Sequence, residues 1–198
     1  MGWTKNFGKP EGTVGKIILN NMNLGHTSIS KWGLSHYDWK EDTVALDIGC
    51  GGGKNVERIL ELAPRGKAAG IDISDESIKK SRKINRQEIE KRCDIKKGSA
   101  DAIPYKDGKF DVITAFETIY FWPDIPKAFD EVQRVLKPDG TFMVICEMSE
   151  PDCIWNRIVE GMNVYTPEQL KSFFQEAGFH NIQVRRKKLW VCITGERA

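Results

Sequence analysis

Asp47 opens a glycine-rich run, Asp47-Ile48-Gly49-Cys50-Gly51-Gly52-Gly53, and a second acid, Asp72, follows Gly51 by 21 residues. Glycines at this spacing let a backbone turn tightly and approach a ligand without Cβ contact. A carboxylate beside such a turn does little for a phosphate, but it favours a ligand bearing an ammonium or a sulfonium. An acid at the end of the next apolar run suits both hydroxyls of a ribose. Two other glycine-turn chemistries fail by position. The dinucleotide pattern GxGxxG needs glycine at 54, where Lys54 stands. The phosphate-binding pattern GxxxxGK would put Ile48 at its first glycine and is followed by Asn55. Asp47 and Asp72 together point to S-adenosylmethionine, with a nicotinamide-dependent enzyme as a weaker alternative.

These residues need a strand before the turn and a helix after it. Residues 43–48 form a short apolar run, and Val56, Ile59, Leu60 and Ala63 recur at helical spacing beyond the glycines. Residues 67–73 predict a second strand. Ser74, with Asp75 and Glu76 behind it, caps a helix expected to run to about Arg92. Further strands are expected at 94–97, 110–116 and 141–147, with Pro138-Asp139-Gly140 stopping the helix built on Ile125, Ala128, Phe129, Val132, Val135 and Leu136. Thr166-Pro167-Glu168-Gln169 reads as a capping box opening a last helix, which Gly178 ends. Two closing strands, near 180–186 and 189–195, are too close in sequence for a parallel crossover and must form an antiparallel hairpin. Strand–helix alternation implies a parallel sheet with helices on both faces. The first 42 residues read as a separate helical arm, with Val14, Ile17, Ile18 and Met22 on one helix and a short second helix over 28–34.

Composition narrows the function. The chain has 198 residues, and its 30 basic and 28 acidic side chains leave a net charge of +2, too balanced for an electrostatic nucleic-acid binder. No apolar stretch is long enough to span a membrane, and the N-terminus lacks the apolar core of a signal peptide, so a cytoplasmic protein without a membrane partner is expected. Five cysteines and three histidines are scattered without metal-ligand spacing, so no metal site is expected. Cys146 and Cys153 lack a thiolate-stabilising neighbourhood for metalloid chemistry.

The segments ALDIGCGGGKN, GIDIS, GSADAIPYKDGKFDVITAFET and LKPDGTFMVICE occur in the order and spacing of the class I S-adenosylmethionine-dependent methyltransferases, and most resemble their small-molecule branch. The resemblance covers roughly residues 43–195. It implies a Rossmann-like, doubly wound α/β fold with seven strands in the order 3-2-1-4-5-7-6, strand 7 antiparallel. By the same resemblance Asp47, Gly49, Cys50 and Gly51 hold the methionine end of the cofactor, and Gly53 opens the helix. Asp72 takes the ribose, Ile73 packs on the adenine, and Ser99, Ala100 and Asp101 follow the adenine edge. Many relatives carry aspartate directly after the glycine matching Gly98. Ser99 stands there in this chain, which leaves open whether Ser99 or Asp101 meets the adenine amino group. Phe116 would line the path of the methyl group.

Methyl transfer from a sulfonium is an in-line displacement whose electrophile the cofactor brings already activated, so no strict catalytic motif is required. Glu117 is the first candidate for a general base and His36 the second. Candidates for the acceptor pocket are His26, Trp32 and Tyr37 in the arm, Tyr120 and Trp122 beyond strand 4, and Trp155 in the loop after strand 5. The aromatics could face a cation or simply anchor a lid. Glu117-Thr118-Ile119-Tyr120 replaces the Asn/Asp-Pro-Pro-Tyr run of base N-methylation, and no Pro-Cys pair occurs. The basic run at 79–83 reads as a solvated helix face, and the one at 185–188 is short, so polyanion binding is not expected. A small-molecule methyl acceptor under a short N-terminal helical lid is therefore expected, against the alternative of a non-catalytic cofactor-binding module.

Overall fold

The computed structural model describes residues 27–147 and 161–198. The predicted helix around Val14–Met22, together with His26, Cys153 and Trp155, lies outside those residues. Helix α1 (Thr27–Leu34) precedes β1 (Val44–Ile48), α2 (Lys54–Leu62), β2 (Lys67–Asp72), α3 (Asp75–Ile84) and β3 (Cys93–Lys97). Then come β4 (Phe110–Phe116), a 3-10 turn (Ile119–Phe121), α4 (Ile125–Val135), β5 (Leu136–Glu147), α5 (Pro167–Glu176), β6 (His180–Lys187) and β7 (Trp190–Glu196). The seven strands form one sheet in the order β3-β2-β1-β4-β5-β7-β6. Strand β7 runs antiparallel to both neighbours and the other pairs are parallel. This is the doubly wound topology expected from the sequence.

Successive strand residues face opposite sides, which divides the core in two. Ile113 and Ala115 of β4 and Phe142, Val144 and Cys146 of β5 face α4 and α5, where Phe129, Phe142 and Phe174 pack with ring centroids 5.1–5.3 Å apart. Val112, Phe116, Met143 and Ile145 face the other way, against Ile29 and Leu34 of α1 and Val56, Ile59 and Leu60 of α2. Helix α1 lies close on that face: a Cβ on Gly33 would come 2.7 Å from the Ile145 side chain. Among the described residues no helix is long and apolar enough to cross a membrane.

Two boundaries differ from expectation. Helix α3 ends at Ile84 rather than near Arg92, because Asn85 caps it and turns its side chain to the carbonyls of Ser81 and Gly53, at 2.9 and 3.0 Å. Beyond it, the Arg92 guanidinium donates to the carbonyl of Ala63 at 3.1 Å, beside the Gly66 amide that donates to the same oxygen at 3.0 Å. The second difference is at Pro138-Asp139-Gly140. It does not separate α4 from its strand, since β5 begins at Leu136 and carries the three residues as a bulge, with Asp139 at φ 60°. The bulge survives because the Asp139 amide donates to the Arg197 carbonyl and the Arg197 amide to Gly140, at 3.0 and 2.8 Å. The Thr166 capping box forms as expected, with both reciprocal hydrogen bonds present.

Candidate active site

The glycine turn leaves β1 at the carboxyl edge of the sheet. The amides of Gly49 and Cys50 both donate to the Ile71 carbonyl, at 2.8 and 2.9 Å, which ties the turn to β2. Gly49 and Gly53 have φ of 70° and 82°, a region that penalises any side chain. Gly49 has a second constraint, since a Cβ there would sit 2.8 Å from Thr118 Cβ. At the end of β2, Asp72 accepts from the Gly51 amide at 2.9 Å through Oδ2 and from the Ser74 amide at 2.8 Å through Oδ1. Each carboxylate oxygen has capacity for a further donor, so the braced side chain can still serve two hydroxyls. Burial raises its pKa, against the lowering pull of those amides. Beside it Ile73 is 41% exposed, an apolar side chain left uncovered at the rim of the turn.

Asp47 is almost wholly buried, with 1% exposure. Its Oδ1 accepts from the Thr114 hydroxyl at 2.8 Å across the β1–β4 register. Burial pushes its pKa up to about 7 and the Asp72 charge adds to the rise, whereas the Thr114 hydrogen bond and Arg58 oppose it. A carboxyl this reluctant to ionise, beside a glycine turn, is stabilised in its charged form by a cationic ligand group. The turn, Asp47 and Asp72 thus fit a molecule with a ribose and a positively charged amino-acid end, as S-adenosylmethionine has. Further along the edge, the Ser99 hydroxyl donates to the Asp101 carboxylate, so the two candidates for the adenine amino group form one unit. That hydrogen bond is the main cause holding the Asp101 pKa below its ordinary value, and Lys127 Nζ stands 3.8 Å away. Ala100 between them is buried.

The exit of β4 brings a second group together. Phe116 is buried against α1, and Glu117 follows with φ 54°, a strained conformation for a residue with a side chain. The Glu117 carboxyl accepts from the Glu147 amide through Oε1, and its Oε2 lies 3.3 Å from the Tyr120 hydroxyl. The shorter contact of that hydroxyl, 2.6 Å to the Glu147 carbonyl, takes its only proton. A proton on Glu117 Oε2 therefore completes the network, in agreement with a pKa pushed by burial up to about 8. The Glu147 carboxylate accepts from Trp190 Nε1 at 3.2 Å, and Trp32 lies 5.8 Å from the Trp190 ring.

Other sequence candidates lie elsewhere. His36 meets the Trp32 ring edge-on at 4.8 Å, and its pKa is lowered by burial and by Arg185. Its buried Nε2 has no hydrogen-bond partner among the described residues, Glu117 included. Tyr37 is set at the amino end of β1, beside Thr43 and Asp111, because the chain after α1 descends along the sheet to enter that strand; burial pushes its hydroxyl to about 12. Trp122 stacks on Phe142 at 6.3 Å in the α4–α5 core, where its large apolar area is covered. Tyr37 and Trp122 are thus not brought to the carboxyl edge, whereas Tyr120 is. Sequence reasoning missed Thr114, Thr118, Ser81 and Asn85, which brace Asp47 and the turn. Only Thr114 left a trace, as a polar interruption of the apolar run 112–116.

A family profile described as a methyltransferase domain matches residues 39–181. The demethylmenaquinone methyltransferase of Lactiplantibacillus plantarum is 28% identical over 192 residues, covering 77% of this chain and 81% of that protein. The sterol 4-C-methyltransferase of Caenorhabditis elegans is 36% identical over 106 residues, 52% of this chain but 31% of its own length. Among solved structures, an S-adenosylmethionine-dependent methyltransferase from Aquifex aeolicus superposes with a TM-score of 0.75 at 20% identity, covering 91% of this chain and 97% of that one. With the profile spanning well over half of its length, and the glycine turn and both acids in place, the chain belongs to the class I S-adenosylmethionine-dependent methyltransferases.

Proposed function

We propose that the protein transfers a methyl group in-line from S-adenosylmethionine to an O, N, S or C atom of a small-molecule acceptor held at the carboxyl edge of β4 and β5. The observation that carries this reading is the joint placement of Asp47, the glycine turn and Asp72 at one edge of the sheet, with Glu117 at the next strand end. When bound, the cofactor supplies a methyl group on a positively charged sulfur. Asp47 receives its cationic end, Asp72 its ribose, and Ile73 packs on its adenine. The Ser99–Asp101 pair presents an ionised carboxylate to the adenine amino group. Phe116 fills the wall between α1 and β5, which excludes water from the side where the acceptor must align. Glu117 takes the acceptor's proton where the acceptor has one to lose. Its raised pKa makes it a stronger base than an exposed carboxylate once it is ionised.

Relatives are named for demethylmenaquinone and for a sterol, both small molecules, which supports a small acceptor here. The arm of residues 1–42 then serves as lid, with α1 already seated beside Phe116. The test is release of S-adenosylhomocysteine from S-adenosylmethionine over a panel of phenolic, quinol, amine, thiol and sterol acceptors, alongside calorimetry of cofactor binding. Binding with turnover of at least one acceptor class is expected. Binding without turnover across the panel would favour a non-catalytic cofactor-binding module.

A further inference from the structure

Strand β4 carries one feature that neither packing nor the glycine turn accounts for. Val112, Ile113, Ala115 and Phe116 are buried and apolar, yet Thr114 between them is polar and fully buried. A buried hydroxyl costs free energy unless it is hydrogen-bonded, and valine would fill the same space in a strand without that cost. The Thr114 hydroxyl has one proton and two acceptors in reach. Asp47 Oδ1 lies at 2.8 Å and the Leu46 carbonyl at 3.4 Å, so the proton goes to the carboxylate. No hydrogen bond engages Asp47 Oδ2 among the described residues.

We propose that Thr114 is a positioning residue for cofactor capture: its hydroxyl stabilises Asp47 as a carboxylate and leaves Oδ2 for the cationic end of the cofactor. The proposal rests on the cofactor reading above and adds a residue to it. The charged and titratable groups facing Asp47 are few. Asp72 at the end of β2 disfavours its ionisation, and Arg58 on α2 favours it. Cys50 in the turn is a buried thiol whose own pKa is raised, so it stays neutral. Arg58 is shared with Asn55 and Thr27, at 2.8 and 3.0 Å, and makes no hydrogen bond to Asp47 among the described residues. Thr114 is therefore the direct donor to this carboxylate. The protein binds its cofactor through a group whose charged form that hydroxyl stabilises directly, and affinity weakens as acid protonates Asp47.

The experiment is calorimetric titration of the full chain with S-adenosylmethionine from about pH 5.5 to 7.5, below the ordinary α-amino range of about 7.7–8.0, so that the ligand's ammonium stays charged. The wild type should bind more weakly as pH falls through the region of about 7. Thr114→Val should lose about tenfold to a hundredfold in affinity at pH 7, the effect of removing a hydrogen bond to a charged group. Its acid limb should also move to higher pH, and Thr114→Ser should restore both affinity and limb. Asp47→Asn keeps an acceptor for the Thr114 hydroxyl and should bind weakly with no acid limb. Thr114→Val binding like the wild type, or losing affinity equally at every pH with its limb unmoved, overturns the proposal. Retention of the limb in Asp47→Asn does so as well, even if Thr114→Val folds poorly. Absence of any binding by the wild type overturns the cofactor reading itself, whereas an unmoved limb overturns only the role of Thr114.

Discussion

Replacing Asp47 by asparagine should make the cofactor-free protein more stable while weakening its grip on the cofactor. The carboxyl is 1% exposed, so solvent screening gives no reason to discount its burial. Its pKa is raised from an ordinary 3.8 to about 7, which at about 1.36 kcal/mol per pH unit is about 4 kcal/mol. The sign follows from proton binding: the folded form holds this proton more tightly than the unfolded chain does. Its contribution is therefore fully present at low pH and is lost as pH rises from about 4 to about 7. Asparagine has nearly the same shape, offers an acceptor to Thr114 and carries no charge to desolvate. At about pH 8 we expect Asp47→Asn to gain roughly 2–4 kcal/mol. For a chain of this size that is a rise of roughly 5–15 °C in melting temperature. The assay is thermal unfolding without cofactor at intervals from about pH 4.5 to 8.5, with the difference between variant and wild type plotted against pH. That difference should grow with pH and level off near 7, and S-adenosylmethionine affinity should fall at least tenfold. A variant that melts at or below the wild type at about pH 8, or a difference that does not change with pH, would refute this account of Asp47.

Three further outcomes follow from the same geometry. Asp72→Ala removes the acceptor of the Gly51 and Ser74 amides together with the ribose contact, so S-adenosylmethionine affinity should fall tenfold or more; unchanged calorimetry would contradict the ribose assignment. Gly49→Ala forces a side chain into a left-handed conformation, at about 1–2 kcal/mol, and drives it towards Thr118. Both melting temperature and cofactor affinity should drop, and a variant with neither change would show that the turn can relax. Glu117 must be ionised to act as base, and its pKa is raised from 4.5 to about 8, so the wild-type rate should climb with pH up to about 8 and then level. Glu117→Gln should flatten that profile and slow turnover by about 10²–10⁴-fold; a retained pH dependence would assign the base elsewhere.

The local code of this chain is legible because short-range chemistry enforces it. The apolar runs that carry Asp47 and Asp72, the Thr166 cap and the nearly turnless final hairpin each constrain a few neighbouring residues, and all appear as expected. The strand order agrees with the resemblance carried by the glycine turn and the segments after it. Helix α3 and the start of β5 differ because distant partners decide them, Gly53 for Asn85 and Arg197 for the bulge at Asp139. The same division runs through the site. Spacing alone placed Asp47, Gly49, Gly51 and Asp72 together, since a strand, a turn and the next strand must bring them to one edge. It could not place Tyr37 or Trp122, whose positions depend on how the chain descends after α1 and on which aromatic area α4 and α5 cover. Nor could it pair Thr114 with Asp47, or Glu117 with the Glu147 amide, because those partners lie 67 and 30 residues apart. Sequence by itself determined which cofactor chemistry this chain can hold. Only the tertiary structure decided the protonation of the acids that serve it, because burial and long-range hydrogen bonds set those pKa values.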